Sequence, residues 1–182
     1  MTSSSLLLSL LLLLASSAAG LATAARDDDA SEHGLTHIHI YLHEILSGPN
    51  ATTIAVTQSP RGGNATFGRI GVLDLEVRDG SDPKSSELLG RYQGMFAFAG
   101  LVSPPSGLLT TVNFVFTAGE HDGSTLAVLG SIPSFEDSFE RAVVGGTGAF
   151  RMARGYCVTT AVANPTPVSV VYEVDLFVKM DA

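Results

Sequence analysis

Hydrophobic and polar residues alternate with a period of two along most of the chain after residue 35. In VSVVYEVDLFVKM, residues 168–180, the even positions are all apolar or aromatic, whereas the odd positions include Ser169, Glu173 and Lys179. This alternation is typical of an antiparallel strand with one face on a core and the other in water. Similar runs lie near residues 36–46, 52–58, 66–78, 88–98, 108–117, 124–130 and 149–162.

Clusters of Gly, Pro, Asn and Asp separate these runs, namely SGPN, SPRGGN, DGSDP, SPPSG, GEHDGS and VANPTP. The chain shows no amphipathic helical period, and PSFEDSFERA is expected to form at most one short helical turn. Eight strands without helices predict either a sandwich or a closed barrel. We favour an all-β, eight-stranded antiparallel β-barrel in a single domain, residues 36–182, because closure removes exposed strand edges.

The N-terminal residues 1–25 have the pattern of a secretory signal peptide. From Leu6 to Leu14 every residue except Ser9 is leucine, and the small residues that follow favour cleavage near Ala24 or Ala25. The apolar run is too short to span a bilayer, which needs about 20 residues. Residues 26–35 are polar and are expected to be a flexible leader. We therefore predict a secreted, extracellular protein without a membrane anchor.

The net charge limits the classes of binding partner, and the cysteine content limits the possible disulfides. The chain has 18 acidic and 10 basic residues, a net charge of −8, which argues against binding nucleic acid or anionic membrane surfaces. The single cysteine, Cys157, excludes an internal disulfide, and we expect it to be buried. Asn50 and Asn64 each begin the triplet Asn-Ala-Thr, which predicts two N-glycosylation sites in exposed turns.

The stretch HIHIYLHEI, residues 37–45, has the residue types of a metal site. The spacing from His39 to Glu44 is similar to the first metal motif of cupins and germins. In a strand, however, His37, His39 and His43 share one face, and Glu44 lies on the other. A metal site needs three or four convergent ligands, and the second cupin motif is absent. We therefore predict no metal and no cofactor.

Glu44 is the more informative residue, because it ends an apolar face that includes Ile40 and Leu42. In FRMARGYCV, residues 150–158, the even positions similarly place one charge, Arg154, on a face with Tyr156. Two opposite charges on apolar faces could bind and polarise a phenolic or carbonyl ligand inside a barrel. The alternative is a structural ion pair without a ligand.

Several stretches resemble the dirigent proteins of plants, and together they cover nearly all of the chain after residue 35. They are HIHIYLHEILSGPNAT, FGRIGVLDLEV, GRYQGMFAFA, FVFTAGEHDGSTLAVLG and VVGGTGAFRMARGY. The resemblance implies a secreted, glycosylated eight-stranded barrel of the cell wall, or apoplast, that forms a homodimer or homotrimer. Such proteins lack oxidative activity of their own. A laccase or peroxidase makes phenoxy radicals from monolignols, and the dirigent protein directs their coupling to lignans.

Two other functions stay open at this point. Some members of the family cyclise or dehydrate a preformed quinone methide without an oxidase, so the chain could be a cyclase or lyase. It could also be a plain carrier of phenolic or apolar ligands. The residues alone do not separate these functions from the auxiliary role in coupling.

The resemblance also suggests site residues. Glu44 stands where the family usually has Asp in a Tyr-x-His-Asp motif, Arg154 matches the Arg of MARG, and Glu140 is the nearest acid before VVGG. We predict that these three are catalytic. Phe96 replaces a Tyr that often follows QGM in the family. The predicted substrate contacts are Ile40, Leu42, Phe96, Phe114, Phe116 and Tyr156.

Overall fold

The computed structural model describes Arg26 and residues 33–62, 66–102, 107–162 and 166–180 of the chain. The predicted signal peptide, most of the predicted leader and Asn64 lie outside these residues. Within them, no helix has the length and hydropathy needed to cross a membrane. The strands are β1 (Thr36–Ile45), β2 (Thr53–Ala55), β3 (Ile70–Arg78), β4 (Leu88–Phe98), β5 (Leu108–Phe116), β6 (Thr125–Ile132), β7 (Phe139–Thr147), β8 (Arg154–Ala161) and β9 (Ser169–Lys179), with a 3-10 turn at Gly148–Phe150.

The strands form one antiparallel sheet that closes on itself. Their order is β1-β9-β8-β7-β6-β5-β4-β3-β2, and β1 also pairs with β3. One edge of β3 is shared, because its C-terminal half pairs with β1 and its N-terminal half pairs with β2. The short β2 therefore continues the position of β1 around the barrel after a bend. The predicted all-β, eight-stranded antiparallel barrel is confirmed.

Two strands differ from the sequence prediction. The run predicted over residues 52–58 forms only the three residues of β2, whereas β7 was not predicted at all. The stretch expected to contain a short helical turn is instead a loop that leads into β7 at Phe139. The predicted number of main strands, eight, is still correct. The omitted strand β7 is offset by the predicted strand over residues 52–58, of which only the short β2 forms.

The inward side chains fill one end of the barrel. The main core cluster is built around fully buried residues of alternating strand positions, including Ile40, Phe114, Leu126, Phe150 and Val174. A second, smaller cluster lies at the opposite rim and consists of Phe96, Leu108, Ile132 and Phe139. Since Leu108 begins β5 and Ile132 ends β6, this cluster marks the end of the barrel that is less completely filled.

Candidate functional site

A cavity of about 230 Å³ occupies the open end of the barrel. Its walls are mainly apolar and aromatic, with Leu73, Phe96, Phe98 and Phe139 among the lining side chains. An apolar cavity of roughly 150 Å³ is large enough for benzene. The cavity of this barrel can therefore hold one substituted aromatic ring, and such enclosure favours a flat, apolar ligand.

Glu44 projects into this cavity from the end of β1, as its place on the apolar face predicts. The Tyr172 hydroxyl of the neighbouring strand β9 shares a hydrogen bond with Glu44. Burial, together with the negative charge of Glu44, raises the pKa of Tyr172 far above its ordinary value. Tyr172 therefore stays protonated at neutral pH and donates to the carboxylate, which fixes the direction in which Glu44 presents its oxygens.

Arg141 is the second charged group of the cavity, and it is only 3% exposed. Its Nη1 donates to the Tyr92 hydroxyl at 2.6 Å and to Thr110 Oγ1 at 3.2 Å, while Nη2 donates to Thr159 Oγ1 at 3.3 Å. Gly130 makes room for this side chain, since a Cβ there would lie 2.9 Å from Cγ of Arg141. These contacts hold a guanidinium rigidly against the apolar cavity.

Arg154 and Tyr156 do not face the cavity, so the predicted position of Arg154 inside the barrel with Glu44 is wrong. Arg154 is exposed, and its Nη1 donates to the carbonyl of its neighbour Ala153 at 2.8 Å. Tyr156 lies on the outer surface and stacks on Phe177, with ring centroids 4.9 Å apart. The inward residues of β8 are instead those at the alternate positions, such as Thr159.

The error arises because the chain does not continue as a strand between residues 150 and 154. A 3-10 turn over Gly148–Phe150 is followed by Met152 in the left-handed region, with φ of 64°. This turn resets which residues face inward, so Phe150 is buried while Arg154 points out. Alternation counted across it assigns the wrong face to every residue of β8.

The other predicted site residues divide between the cavity, the core and the surface. Leu42 and Phe96 line the cavity. Ile40, Phe114 and Phe116 are buried in the main core cluster and are not among the lining residues. Glu140 faces solvent on β7, so the structure places it outside the cavity, and the next residue is the inward one.

Four cavity residues with a guanidinium or phenol side chain were not predicted: Arg69, Tyr92, Arg141 and Tyr172. Tyr172 could have been found, because it belongs to the apolar face of the last strand. Arg141 lies in the strand that was missed. The alternation of Phe139 and Val143 with Arg141 would have identified it if that strand had been recognised.

On the outer surface, His37, His39 and Asp175 form a separate polar cluster. His37 Nε2 and His39 Nδ1 each lie 2.8 Å from Asp175 Oδ1, and Arg26 also pairs with this carboxylate. The hydrogen bond to Asp175 raises the pKa of His39. Glu44 lies on the opposite face, so the cupin-like combination is not assembled. Among the described residues, His37, His39 and Asp175 are the group whose ligand atoms, within 4.8 Å of one another, could hold a metal ion.

Asn50 is exposed in the turn after β1, where a glycosylating enzyme could reach it. Cys157 is buried, as expected, and it lies on the inner side of β8 next to Arg141 and Thr159. Burial raises the pKa of its thiol, which keeps the side chain neutral. Cys157 therefore contributes packing to the floor of the barrel.

Comparison with known proteins identifies relatives of this chain. A family profile described as Dirigent-like protein matches residues 35–179. Dirigent protein 11 of Arabidopsis thaliana is 40% identical over 149 residues, which are 79% of this chain and 74% of the relative. Pterocarpan synthase 1 of Glycyrrhiza echinata is 33% identical over 152 residues, 81% of this chain and 79% of the relative. The solved structure of the pterocarpan synthase dirigent protein PsPTS1 has a TM-score of 0.70 at 32% identity, covering 81% of this chain and 96% of that one.

Proposed function

The chain belongs to the dirigent family, and from this premise we propose that it binds a phenolic quinone methide in the open end of its barrel and controls the next bond that this intermediate forms. One observation carries the proposal. A carboxylate held by a tyrosine and a guanidinium held by a tyrosine, Glu44 with Tyr172 and Arg141 with Tyr92, line a single apolar cavity.

Binding follows from the shape and polarity of the cavity. The aromatic walls at Phe96, Phe98 and Phe139 suit the flat ring of a phenylpropanoid, and the volume admits one ring per barrel. Arg141 and Tyr92 supply donors for the quinoid carbonyl oxygen. Because water is largely excluded by the apolar walls, these donors act more strongly than they would in bulk solvent.

The proposed step is the addition of a hydroxyl group of the substrate to its exocyclic methide carbon. A carbon–oxygen bond forms, the exocyclic double bond moves into the ring, and the ring becomes aromatic. Negative charge develops on the former carbonyl oxygen, where Arg141 and Tyr92 stabilise it. Glu44 accepts the proton of the attacking hydroxyl, and a proton then reaches the phenolate oxygen. The product is an isomer of the substrate, so the step requires no oxidant.

A second candidate is the auxiliary role in radical coupling, with phenoxy radicals supplied by a laccase or peroxidase. It is favoured by the higher identity to a relative named a dirigent protein, 40%, than to the pterocarpan synthase, 33%. In this case each barrel would hold one radical and expose one face of it to a partner radical at the open rim.

One pair of reactions separates these candidates. The protein is incubated with a quinone methide that carries an internal hydroxyl, without oxidase, and separately with coniferyl alcohol and a laccase. Products are resolved by chiral chromatography. Faster, enantioselective ring closure without oxidase supports the first proposal. An enantiomeric excess only in the laccase reaction supports the second. Racemic products at unchanged rates in both reactions would contradict both for these substrates.

We also propose where the protein acts, that it is glycosylated and how it assembles. The pattern of residues 1–25 supports secretion into the cell wall, and the exposed position of Asn50 supports glycosylation there. Assembly into dimers or trimers would bury an outer row of mostly apolar side chains at paired positions. The row contains Ile54, Val72, Met95 and Leu129, each at least 40% exposed, with Thr111 between Met95 and Leu129. Exposed apolar surface of this kind is typical of protein contacts.

A further inference from the structure

Three buried side-chain atoms of the described chain have no hydrogen-bond partner: Thr53 Oγ1, Arg69 Nε and Arg141 Nε. All three belong to residues that line the same cavity. Buried polar atoms in folded proteins are nearly always hydrogen-bonded, so three unpaired ones around one cavity require an explanation. Their clustering singles out the cavity wall around Arg69 and Arg141 as a candidate ligand contact.

The charges of the cavity are unbalanced. Its charged lining residues are Glu44, Arg69 and Arg141, one carboxylate and two guanidinium groups. Among the ion pairs within 4.0 Å found in the described chain, none joins Glu44 to either arginine. An enclosed, mostly apolar site with one excess positive charge favours a ligand with one negative charge.

Arg69 is the cavity residue best placed to pair with the negative charge of such a ligand. Arg141 is held by Tyr92 and two threonines, whereas the guanidinium of Arg69 makes no hydrogen bond or ion pair with a described residue and lies 6.0 Å from the centroid of the Phe98 ring. By comparison, Arg78 and Arg91 each bond a carboxylate at 2.7 Å. In a chain with 18 acidic residues and 10 basic ones, an arginine on a cavity wall without an acid is unusual.

The two guanidinium groups lie at different depths. Arg141 lies beside Tyr92, and Arg69 lies beside Phe98 at the end of β4. Arg141 also lies 5.3 Å from the centroid of the Phe139 ring, so the two cations flank different parts of the aromatic wall. A ligand that bonds both cations must therefore carry oxygen atoms at two separate positions.

From these observations we propose that the ligand is a phenolic acid of the hydroxycinnamate type. Its phenolic or quinoid oxygen lies at Arg141 and Tyr92, and its carboxylate is bound by Arg69 at the open rim. This inference rests on the proposed function for the phenolic end and adds the carboxylate end. Arg69 is then a specificity-determining residue, because a neutral monolignol has no carboxylate that could pair with it.

The test compares two probes that differ only at that end, 4-hydroxycinnamate and 4-hydroxycinnamyl alcohol, by isothermal titration calorimetry. The full-length secreted protein is expected to bind the acid at least about tenfold more tightly, because a charge-assisted hydrogen bond exceeds a neutral one. Arg69→Gln should bring the two affinities to near equality, chiefly because the acid is bound more weakly. Arg69→Lys should keep part of the preference.

Arg91→Gln is the matched control, since it removes an arginine from the outer surface and should keep the full preference. Equal affinity of the wild type for both probes would overturn the inference and leave the proposed function standing. So would a folded Arg69→Gln variant that still prefers the acid. Binding of neither probe would overturn the inference and also count against the proposed phenolic site. The wild-type comparison and Arg69→Lys decide the question if Arg69→Gln fails to fold.

Discussion

Arg141 and Tyr92 are joined across the barrel interior by a 2.6 Å hydrogen bond, although two strands, β5 and β6, separate β7 from β4 in the sheet. The same guanidinium reaches Thr110 on β5 and Thr159 on β8. Arg141 thus connects four strands at the level where the core ends and the cavity begins. It holds these strands together, and in the proposed function it also donates to the ligand.

Arg141→Met should lower both stability and turnover. The substitution keeps most of the apolar stem but leaves the buried Tyr92 hydroxyl without its partner, and a buried unmade hydrogen bond costs about 1–3 kcal/mol. With the threonine bonds also lost, the free energy of unfolding should fall by about 3 kcal/mol. Urea denaturation measures it. Arg154→Met, on the exposed surface, is the control and should change it little; equal losses in the two variants would contradict the assignment.

Glu44→Gln should slow the directed reaction about 100-fold while the barrel still folds, since general acid–base groups contribute roughly this factor or more. The amide keeps the shape and can still bond Tyr172, but it cannot accept the proton of the attacking hydroxyl. Rates and enantiomeric excess are measured on a substrate for which the wild type is selective. Glu140→Gln makes the same chemical change on the solvent face of β7 and should leave both unaltered. Full selectivity in the Glu44 variant would remove Glu44 from the mechanism.

The outer polar cluster should make stability depend on pH. The hydrogen bond to Asp175 raises the pKa of His39 above its ordinary 6.5, so protonated His39 stabilises the fold below about pH 6.5 and this contribution is lost as pH rises through the folded-state value. Although burial opposes it, hydrogen bonds from His39 and His37 lower the pKa of Asp175 below 3.8. The stabilisation by Asp175 is present above pH 3.8 and is lost on further acidification.

His39→Gln should therefore lower the melting temperature more at pH 5.5 than at pH 8, a window set by the two shifts. Thermal denaturation at both pH values checks this. In an Asp175→Asn background the same substitution should have nearly equal effects at the two pH values, because the carboxylate that holds the proton is gone. An equal effect at both pH values in the wild-type background would show that His39 contributes packing alone.

Self-association should depend on the outer apolar row. Met95 lies at the centre of this row and is 47% exposed. It pairs across the sheet with Val72 and Thr111. Met95→Lys places a charge in this row and should convert a dimer or trimer into monomers, as measured by light scattering after size-exclusion chromatography. Thr160→Lys adds the same charge to an exposed position of β8 and should leave the assembly intact. An unchanged mass for the Met95 variant would place the contact elsewhere.

Period-two alternation predicted the barrel and the cavity position of Glu44, because β1 is a regular strand in which each residue alternates faces. It misplaced Arg154 because a tight turn with Met152 at positive φ interrupts the alternation, and a methionine gives no sign of such a conformation in the sequence. Only Asn, Asp or Gly at position 152 would have suggested a left-handed backbone conformation.

Arg141 was missed for a different reason. The segment around it buries Phe139 and Val143 as an ordinary strand does, but it also places a charge inside and the apolar Ala142 and Val144 outside, which obscures the alternation. The buried charge is possible because Gly130 leaves space for the arginine stem and hydroxyl groups accept from its terminal nitrogens. These compensations come from β4, β5, β6 and β8 and are invisible along the sequence. Alternation therefore identifies core positions well and buried polar networks poorly.

The shared edge of β3 has a consequence for how the barrel moves. Three residue pairs join β1 to β3, whereas ten join β1 to β9. The free energy that resists separation of neighbouring strands rises with the number of backbone hydrogen bonds between them, so β1 is held less firmly by β3 than by β9. Thermal fluctuation will therefore part β1 from β3 before it parts β1 from β9, along the segment that ends at Glu44. A ligand too wide for the rim would then enter by a transient gap between strands, beside the carboxylate that acts on it.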